Sequence, residues 1–129
     1  MPARHIAHVA LLVRDYDEAI AWFTGALGWA LLEDTPHGPG KRWVRVAPSV
    51  DSPNGLLLAR AANEAQLAQV GRFAGGRVGL FVHSDDFDAD HAAMLARGVR
   101  FCESPRHEEY GKVAVFEDLY GNRWDLIGP

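Results

Sequence analysis

The chain repeats itself. His8-Val-Ala-Leu-Leu-Val13, an acidic helix start and a glycine at Gly28 return about 70 residues later as Arg77-Val-Gly-Leu-Phe-Val82, a second acidic helix start and Gly98. Such a chain folds as two copies of one strand–helix–strands unit, and each functional position can be checked against its twin. At 129 residues, with 48% apolar and 23% charged content, it has the size of one domain whose core needs neither disulfide nor structural metal. The single cysteine, in Val99-Arg-Phe-Cys102, is expected to be a buried small hydrophobe suited to a reducing compartment. The opening Met1-Pro-Ala-Arg-His5 lacks the apolar stretch of a signal peptide, and no run approaches the ~18 residues of a membrane span. A cytoplasmic protein without a membrane partner is expected. The net charge of −4, with no clustered basic stripe, excludes nucleic acid as a partner.

The apolar, β-branched run Ile6 to Val13 predicts a buried strand, and a helix follows at once. Asp15 and Glu18 form a capping-box-like start. Tyr16, Ala19, Ile20, Phe23 and Leu27 share one face, and Gly28 supplies the left-handed stop. Strands are predicted at 29–33, 42–47 and 55–60, separated by the Pro/Gly-rich loops 35–40 and 48–54. Residues 61–76 read as a linker with a helical turn or two, leaving through Gly75-Gly76. The second unit, 77–129, repeats the plan of the first, 1–60. A strand at 77–83 leads to a helix capped by Asp86 with Phe87, Met94 and Leu95 on one face, ending at Gly98. Strands at 99–103, 112–117 and 123–127 follow, the last two joined around Tyr120-Gly-Asn122. The class is α+β, two tandem βαβββ units in one domain.

This paired plan, the opening H-V-A-L-L-V-R-D and the ending Asp118-Leu-Tyr-Gly-Asn-Arg-Trp-Asp-Leu126 resemble the vicinal oxygen chelate superfamily over essentially the whole chain. That superfamily holds glyoxalase I, fosfomycin-resistance transferases, extradiol dioxygenases, epimerases and bleomycin-binding proteins. Leu119 replaces the proline usual in the final motif. The resemblance implies an open, cup-shaped mixed sheet, with a homodimer completing the cup at this chain length. Because one fold hosts lyases, transferases, dioxygenases and sequestering proteins, function must be argued from the site.

Strand parity says which side chains reach the cup. If His8 points into it, so do Ala10 and Leu12, while Val9, Leu11 and Val13 pack on the helix. On the matching strand Arg77, Gly79, Phe81 and His83 share the cup face, His83 lying roughly 20 Å from Arg77. On the last strand Arg123, Asp125 and Ile127 face the cup, leaving Trp124 and Leu126 to the core. The twin of Asp125 is Leu58, or Ala59 if the loops align one residue differently. Metal-using relatives hold the ion with His, Glu or Gln at these positions. Here they read His8, Leu58, Arg77 and Asp125, and only His8 and Asp125 can ligate, short of the three protein ligands that divalent catalysis uses. A guanidinium in the cup repels a cation. No metal cofactor is favoured; Ni, Zn, Mn or Fe held by His8 and Asp125 is the alternative. Arg77 is expected to pair with Asp125, either plugging the old metal position or presenting a fixed cation to an anionic ligand.

Other candidates are weaker. Glu108 and Tyr110, in the loop Pro105–Gly111, could serve as acid/base or orienting groups, against the plainer reading of a solvated turn. Trp43 and Phe81 could wall a flat ligand or belong to the core. His91 reads as a half-buried helix histidine and His37 as an exposed loop residue. Two functions stay open. One is a metal-independent module binding a small organic molecule through Arg77, Phe81, Trp43 and Leu58. The other is a metal-dependent lyase, isomerase or dioxygenase of the glyoxalase type, with His8 and Asp125 at its centre.

Overall fold

The computed structural model describes residues 1–129, which form two compact units, Met1–Val70 and Gly71–Pro129. The first runs β1 (His8–Val13), α1 (Tyr16–Gly25), β2 (Ala30–Pro36), β3 (Arg42–Ala47), β4 (Gly55–Arg60) and a short α2 (Glu64–Leu67). Its sheet has the order β1-β4-β3-β2, with β1 parallel to β4 and the other pairs antiparallel. The second runs β5 (Val78–His83), α3 (Phe87–Ala96), β6 (Arg100–Phe101), β7 (Arg106–Glu108), β8 (Gly111–Glu117) and β9 (Arg123–Gly128). Its order is β5-β9-β8-β6, with β7 also paired to β8 and β5 parallel to β9. Both sheets are mixed and neither closes into a barrel, so the α+β class and the repeated βαβββ plan stand.

Local chemistry fixes the helix starts. The Asp15 carboxylate accepts from the Glu18 N–H at 2.8 Å and that of Asp86 from the Ala89 N–H at 3.1 Å, each satisfying an amide with no intrahelical partner. α1 stops at Gly25 rather than reaching Leu27, the chain turning through Gly28 at φ 70°. Burial then alternates as the period of a strand requires. In the first unit Leu11, Val13, Val44, Val46, Leu56 and Leu58 pack with Tyr16, Ala19 and Phe23 of α1; in the second, Phe116, Trp124 and Leu126 form the core with Phe87 and Met94 of α3. The residues between them define, on each sheet, a face that no helix covers.

The segment carrying the superfamily resemblance is structural. Asp118, buried on the β8–β9 connection, accepts from the backbone N–H groups of Tyr120 and Asn122, from Asn122 Nδ2 and from Trp124 Nε1, all at 2.9–3.0 Å. Asn122 Oδ1 in turn accepts from the Phe73 N–H at 2.9 Å. This holds residues 73–74 against the start of β5, where a Cβ on Gly79 would lie 2.5 Å from the Ala74 Cβ. Gly71, at φ +84°, lies so close to the Tyr120 carbonyl that a Cβ there would sit 2.2 Å from its oxygen.

Three local expectations are corrected. β1 begins at His8, not Ile6, which is exposed. The strand expected at 99–103 shrinks to Arg100–Phe101, and Cys102, whose N–H still donates to the Val115 carbonyl of β8 at 2.8 Å, is exposed rather than buried. The segment 105–111, read as a loop, contains β7, whose Arg-His-Glu sequence has no apolar alternation; pairing with β8 imposes the strand on it. The unit boundary falls at Val70/Gly71, inside the 61–76 segment, and residues 71–74 pack with the second unit.

Candidate functional site

On the uncovered face of the first unit, strand alternation sets His8, Ala10 and Leu12 of β1 beside Leu57 and Ala59 of β4 and Trp43 and Arg45 of β3. The Trp43 ring lies near two imidazoles: His8 meets it edge-on at 6.0 Å between centroids, and His37 lies 6.1 Å away. Arg45 reaches Glu33 only at 3.5 Å. Past Trp43 a cleft of about 420 Å³ opens at the ends of β3 and β4, lined by Trp43, Leu57 and Ala59 from the uncovered side, by Tyr16, Arg42 and Arg60 from the helix side, and by Gly40 and Lys41 of the adjoining loop. Two of its cations are tied down locally. Arg42 donates to Asp34 at 2.7 and 3.0 Å and to Asp17 at 2.9 Å, and the first of these contacts holds the Asp34 carboxyl below its ordinary value. Arg60 donates to the neutral Gly40 carbonyl at 2.8 Å and lies over the Tyr16 ring.

The uncovered face of the second unit is acidic where the first is basic. Asp125 of β9 pairs with Phe81 of β5 on one side and Val115 of β8 on the other. Phe81 is 63% exposed. Nearby, Arg106 binds Glu103 at 3.0 Å and Glu108 at 2.8 Å, while Glu103 also accepts the Val115 N–H at 3.2 Å. Burial pushes the Asp125 carboxyl above its ordinary value, opposed by Arg106 and reinforced by Glu103. Tyr110 is exposed in the β7–β8 turn and Glu108 is held by Arg106.

Three buried side-chain polar atoms have no hydrogen-bond partner: His8 Nδ1, Arg45 Nε and Asp125 Oδ1. All belong to residues on uncovered faces. Buried polar atoms are nearly always satisfied, so each such atom calls for an explanation.

Several expectations change at this level. The Arg77–Asp125 ion pair does not form. The register sets Asp125 opposite Phe81, four positions past Arg77 and roughly 13 Å along a strand, and Arg77 lies instead with Ala74, Asn122 and Arg123. Leu58, 1% exposed, turns its side chain to the core and reaches the cleft only at its base. Since Leu12 pairs with Ala59 as Phe81 pairs with Asp125, the twin of Asp125 is Ala59. Gly79 shares Phe81's parity but is covered by Phe73 and Ala74. No group of three or more His, Cys, Asp or Glu side chains converges. Trp43 lines the cleft, Trp124 is core, and His91 is half-buried between the Phe87 and Phe101 rings. Sequence reasoning missed Arg45, although it shares Trp43's face by parity; His37 is an exposed loop residue as read, and its approach to Trp43 depends on the path of the 37–41 loop.

Comparison with known proteins agrees with this architecture. The pattern of the Glyoxalase/Bleomycin resistance protein/Dioxygenase superfamily matches residues 5–126. A protein of Shewanella frigidimarina (strain NCIMB 400) is 49% identical over 123 residues, 95% of this chain and 91% of that one. Among solved structures, UcmS2 is similar at TM-score 0.83 and 28% identity, covering 98% of both chains. TnmS3, an antibiotic binding protein from Streptomyces sp. CB03234, is similar at TM-score 0.81 and 29% identity, covering 100% of this chain and 98% of its own. With the repeated units, the Asp118–Trp124 lock and this match over nearly its full length, the chain belongs to the Glyoxalase/Bleomycin resistance protein/Dioxygenase superfamily.

Proposed function

We propose that this protein binds a small organic molecule, of the polycyclic or aromatic antibiotic kind, without a catalytic metal. The observation that carries the reading is the cleft beside Trp43 in the first unit, on whose uncovered sheet face His8 Nδ1 and Arg45 Nε also lie buried without a partner. A ligand carrying donors and acceptors supplies the missing bonds, and leaving such groups unmade costs about 1–3 kcal/mol each. Trp43 beside the cleft of about 420 Å³ offers a stacking wall in a cavity of the size small-molecule sites have. The likeness to an antibiotic binding protein supports the same reading. The metal-dependent lyase, isomerase or dioxygenase on His8 and Asp125 gains no support from the donor set, and Glu108, engaged by Arg106, is poorly placed as a free base. In the same reading the protein is a cytoplasmic homodimer; light scattering giving one chain mass would overturn the dimer.

The test is a fluorescence titration with bleomycin and a panel of polycyclic aromatic antibiotics, with mass spectrometry of the recovered compound. The reading expects saturable quenching, a Kd of about 1 µM or tighter for at least one compound, recovery of that compound unchanged, and at least a tenfold loss in Trp43→Ala. Conversion of the compound, or binding indifferent to Trp43, would overturn it.

A further inference from the structure

Resting on that reading, we infer that the first unit's cleft selects planar aromatic ligands that carry an anionic group, with Lys41 and Arg60 as the counter-charges. The chain as a whole is acidic, at −4, yet the residues lining this cleft include Lys41, Arg42 and Arg60 and no carboxylate. The three cations are not equivalent. Arg42 is neutralised by Asp34 and Asp17, at 2.7 and 2.9 Å. Arg60 has only a neutral carbonyl, Gly40, and the face of the Tyr16 ring as partners, and Lys41 takes part in no ion pair. The lining therefore holds two uncompensated positive charges beside an aromatic wall. Arg60's bond to Gly40 steadies the loop that carries Lys41, so the two cations sit on neighbouring parts of one rim. A carboxylate, sulfonate or phenolate on a ring lying along Trp43 and Leu57 meets both, and the guanidinium can bind it through two parallel N–H groups. A neutral ring gains the stacking alone.

Two dyes with one skeleton separate the terms: 8-anilinonaphthalene-1-sulfonate and the neutral N-phenyl-1-naphthylamine, titrated into the full chain with dye emission as readout. At low salt the sulfonate is expected to bind about tenfold more tightly than the amine, an advantage that falls toward unity at about 1 M NaCl, where the screening length is ~3 Å. Trp43→Ala weakens both dyes. Lys41→Met lowers the sulfonate-to-amine affinity ratio about threefold, and Lys41→Met with Arg60→Met abolishes it. Should the double variant lose its fold when Arg60 leaves Tyr16, Lys41→Met, on the exposed loop, still decides the matter. Equal affinities in the wild-type chain, or a ratio unmoved by Lys41→Met, overturn the anion preference while leaving a Trp43-dependent binding site intact. Absence of Trp43-dependent binding by either dye overturns the site itself.

Discussion

The two units follow one topological plan but differ in what holds their turns and in the charge on their uncovered faces. In the second unit the β8–β9 connection closes on a buried carboxylate: Asp118 takes four hydrogen bonds, from Tyr120, Asn122 and Trp124. In the first, the equivalent β3–β4 connection, residues 48–54, is mostly exposed, with Ser52 donating to the Asn54 carbonyl at 2.8 Å. The faces diverge too, with His8, Trp43 and Arg45 on one unit and Phe81, Asp125 and the Glu103–Arg106–Glu108 cluster on the other. A duplicated scaffold can keep its strand pairing while one copy takes up a polar lock and the other a cationic cleft, because pairing depends on the backbone and the covered face alone.

The largest expected effect breaks the contrast in turn chemistry. Asp118→Ala removes the carboxylate that accepts from the buried Asn122 Nδ2 and Trp124 Nε1 and is expected to destabilise the chain by about 4 kcal/mol in urea unfolding. Ser52→Ala in the first unit is expected to cost about 0.5 kcal/mol. Comparable losses would mean that the units are held alike. Next, Gly79→Ala drives a Cβ to 2.5 Å from that of Ala74 and forces residues 73–74 off the sheet, at about 2 kcal/mol. Hydrogen exchange should then rise at the Phe73 amide, and an unchanged amide would show that the segment is held elsewhere.

The smallest effects have opposite signs in the two units. Asp34, held below its ordinary value of 3.8 by Arg42, contributes stability that is present above that pH and disappears as pH falls through the folded value. Its side chain is partly exposed, so Asp34→Asn is expected to cost less than about 1 kcal/mol at pH 7, a cost that shrinks as pH falls below 3.8. Asp125, raised above 3.8 chiefly by burial, penalises the fold when charged. Asp125→Asn should therefore raise the melting temperature at pH 7, and the gain should shrink as pH falls through the folded value toward 3.8. Melting curves across pH 2–8 check both, and a fall in the melting temperature of Asp125→Asn at pH 7 would refute the second.

Much of this was legible in the sequence. The repeat, the helix caps at Asp15 and Asp86, the core side of Leu11, Val13 and Trp124 and the uncovered side of Phe81 and Asp125 follow from period-2 alternation and cap chemistry, which are local. The rest depended on register. Whether Leu58 or Ala59 answers Asp125, and whether Arg77 reaches it, turns on how a parallel pair slides by one or four residues, and the two strands' own sequences do not fix that slide. β7 escaped notice because Arg106, His107 and Glu108 show no apolar alternation, and Cys102 was misplaced because the strand before it ends two residues earlier than its β-branched and aromatic content suggests. The cationic rim was hidden for a third reason: Lys41 and Arg60 are far apart in sequence, and only the path of the 37–41 loop brings them together.

The strap formed by residues 71–74 has a practical consequence for cutting the protein in two. Gly75-Gly76 is the obvious place to split the chain, but a fragment beginning at Arg77 would lose Phe73 and Ala74 from over Gly79 and leave Asn122 Oδ1 without the amide that it accepts from. A split between Val70 and Gly71 keeps the strap with the sheet it covers. For complementation pairs, permuted chains or inserted reporters, that bond is the seam, and the double glycine lies within the second half.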